Sequence, residues 1–272
     1  MIDGHTRVFG ILGQPVSHSL SPVMHNAAFQ AQGINAVYVA FAVQHLEQAV
    51  LGLRGLDIGG VSVTIPFKEA IMPLLDDIDA KAAAMGAVNT VINQQGRLQG
   101  GNTDYLGAIA ALQDRTEIKG KHFLVLGAGG AARAIAFGII EAGGLVTVTD
   151  IDWDRAQALA QELKVESIPL NGLAQCPAEM LINATPVGMA PKVEDIPIDP
   201  QFVGRFSLVM DIVYRPLQTR LLQEAEARGG QTIDGLQMLI YQGAAQFQLF
   251  TGQTAPVEVM RQAALAALPL QS

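Results

Sequence analysis

Gly127-Ala128-Gly129-Gly130-Ala131-Ala132 lies between an apolar run, His122 to Leu126, and a helical pattern from Ala131 to Glu141. A second apolar run, Leu145 to Thr149, follows and ends at Asp150. Small residues in the order G-x-G-x-x-A have a chemical use at such a junction. Gly127 permits a tight turn, Gly129 lets the backbone approach a diphosphate, and Ala132 permits close packing of helix on strand. The start of the helix offers free N–H groups and the positive end of its dipole to phosphate. Strand, turn, helix and strand together take about thirty residues, the length of a βαβ dinucleotide-binding unit. Gly127, Ala128, Gly129, Gly130 and Ala131 are therefore expected to cradle the phosphates of a dinucleotide.

Asp150 bears on which dinucleotide. An acid at this strand end can accept a hydrogen bond from the adenosine ribose 2′-OH, whereas a 2′-phosphate would meet its charge. Two unit charges about 4 Å apart at an effective dielectric of ~20 interact by ~4 kcal/mol, and ~1.4 kcal/mol is already tenfold in affinity. Asp152 reads as the N-cap of a helix running to Leu163. Arg155 is the nearby residue able to welcome a phosphate. The expectation is NAD as cofactor, with NADP less favoured.

A second group of residues lies in the first hundred. Val61, Val63 and Ile65 alternate with Ser62 and Thr64, so a strand with one apolar and one hydroxyl face is expected. Lys68 stands just past its C-terminal end, where open α/β sheets place ligands. Ser17 and Ser19, spaced i, i+2 in extended backbone, point the same way and can bind one carboxylate. Ser21 reads as a helix N-cap, followed by Pro22 at the first helical position.

The elements that position these residues alternate between strand and helix. Strands are expected at Arg7 to Leu12, Ala36 to Phe41 and Val91-Ile92, with a turn at Gln95-Gly96. Helices are expected from Ser21 to about Gln32 and from Leu46 to Leu53, with helical signals continuing from Lys68 through Lys81. Later strands fall at Val165 to Pro169, Leu181-Ile182 and Leu208 to Ile212, and helices at Met238 to Phe250 and Pro256 to Leu268. This pattern is α/β.

Composition excludes several classes of function. The chain has 272 residues, half of them hydrophobic and 15% charged, enough for a large core and two domains. A net charge of −8, with no basic run, argues against nucleic acid as a partner. The single cysteine, Cys176, excludes an internal disulfide framework and suits a reducing, cytoplasmic setting. No signal-peptide core or membrane-length apolar stretch is evident. The five histidines show no metal-binding spacing.

Motifs along the chain then point to one family. Ser17-His18-Ser19-Leu20-Ser21-Pro22, Val63-Thr64-Ile65-Pro66-Phe67-Lys68, Gly86-Ala87-Val88-Asn89-Thr90 and Asn102-Thr103-Asp104 precede the glycine turn. Asn183-Ala184-Thr185-Pro186-Val187-Gly188-Met189, Asp211-Ile212-Val213-Tyr214-Arg215-Pro216 and the segment Gly235 to Gln242 follow it. Together they resemble the shikimate dehydrogenase family, which includes the quinate/shikimate dehydrogenases.

The resemblance implies a Rossmann-type nucleotide domain at 105–232. It also implies a discontinuous α/β substrate domain, 1–104 plus 233–272, with the active site in the cleft between them. It implies hydride transfer between a nicotinamide and the ring hydroxyl of shikimate, an anionic cyclohexene carboxylate, giving 3-dehydroshikimate. The related quinate pair, on a cyclohexane carboxylate, stays open. Lys68 would be the acid/base residue and Asp104 its partner. Ser17, Ser19 and Tyr214 would hold the substrate carboxylate, and Thr64, Asn89, Asp104 and Gln242 its ring hydroxyls. Thr185, Val213 and Gly235 would join the glycine turn, Asp150, Ile151, Asp152 and Arg155 at the cofactor.

Three departures stand out: Ser62 replaces the family's Asn, Tyr105 replaces a frequent Gly, and Asp150-Ile151-Asp152 replaces the N-R-T of NADP-using members. The third agrees with NAD. The alternatives are an NADP-using biosynthetic relative, an aminoshikimate-specific relative, and a non-catalytic metabolite sensor. Monomer and homodimer both remain open.

Overall fold

The protein is described by a computed structural model covering residues 2–268. The chain divides into two compact units, one made of the residues up to Thr103 with those from Ile240, the other of Asp104–Leu239. The expected boundaries fell after Asp104 and before Ile233. The observed return to the first unit begins seven residues later. Residues 1 and 269–272 of the expected substrate domain lie outside the described residues.

In the first unit the chain runs through β1 (Arg7–Gly13), α1 (Ser21–Ala31), β2 (Ala36–Ala42), α2 (Leu46–Gly55) and β3 (Gly60–Val63). It continues with β4 (Asp77–Ile78), α3 (Ala80–Met85), β5 (Thr90–Gln94) and β6 (Arg97–Gly101). The sheet order is β2-β1-β3-β5-β6-β4. β1 pairs parallel with β2 and β3, whereas β3–β5 and β5–β6 are antiparallel.

β3 differs from the sequence expectation. It ends at Val63, all four of its residues are buried, and Ile65 is 64% exposed beyond it. The strand is central, so both faces are covered and Ser62 faces packed protein. The helical signals before Lys81 also resolve differently. A 3₁₀ turn at Met72–Leu74 and the short β4 occupy that stretch, and α3 begins only at Ala80. Pro73 and Pro66 suit turns and strand ends better than a helix interior.

The second unit runs α4 (Asp104–Gln113), β7 (His122–Leu126), α5 (Gly130–Glu141), β8 (Leu145–Thr149), α6 (Trp153–Leu163), β9 (Glu166–Ser167), β10 (Met180–Asn183), β11 (Leu208–Asp211), α7 (Arg220–Ala227) and β12 (Gln231–Ile233). Its sheet order is β12-β11-β10-β7-β8-β9, every pairing parallel. This is the doubly wound order, whose switch point lies between its first and fourth strands, β7 and β10. Helix α8 (Gly235–Thr251) starts in this unit, continues into the first, and is followed there by α9 (Val257–Ala267).

The first unit's core explains why it needs the last helices. Phe9 on β1, Phe29 on α1 and Tyr38 on β2 pack with Phe247 and Phe250 of α8. His25 of α1 sits among them, fully buried and stacked on Tyr38 at 4.3 Å between ring centres. Among the described residues no group lies in hydrogen-bonding geometry with either of its ring nitrogens. Burial therefore pushes its imidazole down to about 3, against a weaker opposing pull from the Gln246 amide. Each such buried aromatic side chain contributes roughly 1.5–3 kcal/mol through area removed from water.

Candidate active site

The glycine turn follows β7 at the switch point. Gly127 has φ +106°, and a Cβ there would approach the Ala184 carbonyl oxygen to 3.1 Å, so glycine is required on both grounds. Gly129 is different. A Cβ there would meet only the Arg155 guanidinium, at 3.7 Å, so its backbone is open to a ligand on that side. Gly129 is the N-cap of α5 and provides no side chain to occupy the first-turn N–H groups. An approachable backbone and an uncapped helix start fit the diphosphate of a dinucleotide, and the Arg155 guanidinium stands close by as a further cation for a phosphate.

Asp150 does not stand as a free acceptor beside this turn. Its Oδ2 accepts from the Ala128 N–H at 2.7 Å and its Oδ1 from the Asp152 N–H at 2.9 Å. The carboxylate therefore clasps the glycine turn to the end of β8. Ile151 is 92% exposed, and Asp152 caps α6 by accepting from the Arg155 N–H at 3.3 Å. The cap agrees with the sequence reading.

On the same sheet edge, two loops leave β10 and β11. Thr185 is half-buried after β10, donating from Oγ1 to Asn183 Oδ1 at 2.6 Å. Val213, buried, and Tyr214, half-buried, follow β11. Burial pushes the Tyr214 phenol above its ordinary range, with Arg215 pulling weakly the other way, so it stays a hydrogen-bond donor at neutral pH. Gly235 opens α8 against this second loop. A Cβ there would lie 2.3 Å from the Ile212 carbonyl oxygen and 2.6 Å from that of Val213. Gly235→Ala is expected to cost about 1–3 kcal/mol as the loop is forced aside, read as a lower urea midpoint. An unchanged midpoint would mean that the loop yields freely.

The remaining expected residues belong to the first unit, apart from Asp104, the buried first residue of α4. Ser17 is exposed and Ser19 half-buried in the turn after β1. The capping arrangement there is not the expected one. Ser21 is buried as the first helical residue, Leu20 is the N-cap, and Ser19 Oγ accepts from the Ser21 N–H at 3.2 Å. A proline at the next position leaves one fewer N–H for a cap to satisfy.

Thr64 and Lys68 are half-buried in the turn leaving β3. The Lys68 carbonyl accepts from the Val88 N–H at 2.8 Å, which ties its turn to the residue before Asn89. Asn89 is 2% exposed, and its Oδ1 accepts from the Thr103 N–H and the Thr90 hydroxyl, both at 2.7 Å. Gln242 is buried on α8.

Gln246, one turn further along α8, had no role in the sequence reading. Its Nε2 donates to the Asn89 carbonyl at 3.2 Å and to Thr90 Oγ1 at 3.0 Å, and its Oε1 accepts from Ser62 Oγ at 2.6 Å. Ser62 Oγ in turn accepts from the Tyr38 hydroxyl at 2.5 Å. The serine that departs from the family's asparagine is thus fully used in a buried chain from β2 to α8. The available signal was Gln246 lying four residues after Gln242 in an otherwise apolar helix. Tyr105, the other bulky departure, packs edge-on against Phe137 of α5 at 5.9 Å.

Comparison with known proteins agrees with this geometry. The family described as "Shikimate dehydrogenase substrate binding domain" matches residues 11–91, and "Shikimate 5'-dehydrogenase C-terminal domain" matches 235–265. Shikimate dehydrogenase (NADP(+)) of Symbiobacterium thermophilum is 46% identical, over 97% of this chain and 96% of that protein. A shikimate dehydrogenase crystal structure in complex with NADP+ is 40% identical, covers 99% of this chain and 98% of its own, and gives a TM-score of 0.93. The Thermus thermophilus enzyme in complex with NADP(H) and shikimate is also 40% identical, with 97% and 100% coverage and a TM-score of 0.89.

These relatives overturn the expectation of NAD over NADP, since they are named for NADP(+) or hold it. The structure supplies the physical reason. The charge argument counted the Asp150 carboxylate alone, whereas the N–H dipoles of Ala128 and Asp152 point at its two oxygens and offset part of its charge, and the Arg155 guanidinium beside Gly129 adds a positive charge for a phosphate. Among the described residues no helix is long and apolar enough to cross a membrane, and no cluster of three metal-ligating side chains occurs. Identity at this level across nearly the full length of each relative, on the same doubly wound sheet, admits one assignment. The chain belongs to the shikimate dehydrogenase family and is an NAD(P)-dependent alcohol oxidoreductase.

Proposed function

We propose that the enzyme interconverts shikimate and 3-dehydroshikimate with NADP, with shikimate preferred to quinate. The observation that carries this reading is the full-length likeness to the Thermus thermophilus enzyme, whose structure holds NADP(H) and shikimate. When bound, the nicotinamide accepts a hydride from the ring carbon bearing the reacting hydroxyl. The chain's own residues do the rest. Lys68 takes the hydroxyl proton as the C–H bond breaks and returns it in the reverse direction. Asp104 orients that hydroxyl and the lysine. Ser17, Ser19 and the Tyr214 phenol donate to the ring carboxylate, and Thr64, Asn89 and Gln242 bind the other hydroxyls. Neutral donors suit an anionic substrate on a chain of net charge −8.

At the other end, the glycine turn from Gly127 to Ala131 holds the diphosphate, and Thr185, Val213 and Gly235 belong to the loops that serve the nicotinamide. Arg155 meets the 2′-phosphate, with Asp150, Ile151 and Asp152 shaping the adenosine side. Arg155→Ala is expected to raise the KM for NADP about tenfold or more, the scale of one charged hydrogen bond. The KM for NAD should change little. Equal effects on both would remove Arg155 from phosphate recognition. The deciding experiment is a set of initial rates on shikimate and quinate, each with NADP and NAD. Shikimate with NADP should be fastest. A faster rate with quinate would transfer the assignment to the quinate pair.

A further inference from the structure

Asp211 ends β11 fully buried, and among the described residues no cation contacts it. Its Oδ1 accepts from Asn183 Nδ2 and from the Val213 N–H, both at 3.0 Å, and its Oδ2 accepts from the Thr219 hydroxyl at 2.7 Å. Asn183 ends the neighbouring strand in register with it. Its own Oδ1 accepts from the Thr185 N–H and hydroxyl, and its Nδ2 also reaches the Val187 carbonyl at 3.2 Å. Thr185 Oγ1 accepts from the Val187 N–H at 3.2 Å. One unbroken path therefore runs Thr219–Asp211–Asn183–Thr185–Val187. It crosses from the loop after β11 to the loop after β10, and the Ala190 N–H seals the two by donating to the Arg215 carbonyl at 2.9 Å.

We infer that Asp211 is a positioning residue that latches the 184–189 and 212–216 loops into one rigid edge and so fixes Thr185, Val213 and Tyr214 for the reaction. The solvation cost of a buried carboxyl is tolerated at a strand end only where every oxygen is satisfied. Burial pushes this one up to about 6. A proton on Oδ2 is accommodated because Thr219 can turn its hydroxyl and accept, leaving both Oδ1 contacts in place. The latch thus depends on shape and acceptor position more than on charge, which separates it from an ion pair.

The inference rests on the proposed reading of these loops as serving substrate and cofactor. Tyr214→Phe tests that reading by itself, through a raised shikimate KM. The latch is tested with Asp211→Asn, Asp211→Ala and Asn183→Ala, using kcat and both KM values normalised to folded protein by circular dichroism. In Asp211→Asn the amide oxygen keeps both Oδ1 contacts and the amide nitrogen donates to Thr219, so kcat should stay within about threefold of the parent. Asp211→Ala and Asn183→Ala open the path at two points. Each should lower kcat by roughly tenfold and raise the KM for NADP, well inside the ~100-fold that a 1 Å misplacement can cost. If Asp211→Ala does not fold, the other two variants decide. Parent-like kcat and KM in folded Asn183→Ala would overturn the inference, as would Asp211→Asn falling as far as Asp211→Ala.

Discussion

Lys68→Ala should lower the turnover of shikimate by at least ~100-fold, the low end for loss of a general acid/base, with the fold intact. The oxidation cannot finish without removal of the hydroxyl proton, and water is a poor substitute for a held amine in a site that must order its substrate. The substitution should be structurally mild. The bond that ties this turn to Val88 uses the Lys68 main-chain carbonyl, which alanine retains. The side chain is half-buried, so its removal leaves no sealed core cavity. The loss should therefore appear in kcat, while the KM for NADP and the melting temperature stay near the parent's. Lys68→Met, which keeps the apolar stem, should be as slow as alanine. Near-normal turnover in either variant would take Lys68 out of the proton transfer.

The second large effect is on acid stability and belongs to His25. Its folded-state value is depressed, to about 3 from an ordinary 6.5. A base held neutral in this way contributes stability that is fully present above pH 6.5 and is lost as the pH falls toward 3. Across that window each step of one in pH removes about 1.4 kcal/mol, so roughly 2 kcal/mol should be gone by pH 5. Asp211 acts with the opposite sign. Its folded value is raised to about 6 from 3.8, so its contribution is present below pH 3.8 and is lost as the pH rises through 6. The parent's pH profile alone would blend the two. His25→Leu removes only the first, so the difference in urea unfolding free energy between parent and variant isolates it. That difference should fall by about 2 kcal/mol between pH 7 and pH 5. A difference independent of pH would mean that the imidazole finds a partner or water in its aromatic box.

The nucleotide-binding unit was largely legible in the sequence, and for a definite reason. Parallel strands buried on both faces read as unbroken apolar runs between turn residues. β7, β8 and the turn between β7 and α5 accordingly fall where the runs and glycines place them. The same rule explains the misreading of β3. Ser62 and Thr64 looked like a solvated face, because alternation is the mark of a half-buried strand. Nothing local reveals that Tyr38 and Gln246, 24 and 184 residues away, close on that serine inside the core. Asp150 failed similarly. Residue type predicts what a carboxylate can accept, while the donor that reaches it first is the Ala128 N–H, 22 residues back. Asn183 and Asp211 each open one of the sequence motifs, but their pairing depends on β10 and β11 being neighbours in register.

The late position of α8 and α9 has a consequence for biosynthesis. Phe9, Phe29 and Tyr38 leave the ribosome early, yet Phe247 and Phe250, which cover them, come from the other end of the chain. Between the two, all of Asp104–Leu239 must be translated. At ~5–20 residues per second that interval is on the order of ten seconds. Throughout it, the nascent first segment carries an unfinished aromatic surface while the middle of the chain is free to fold. The stretch most in need of chaperone shielding is thus the one made first.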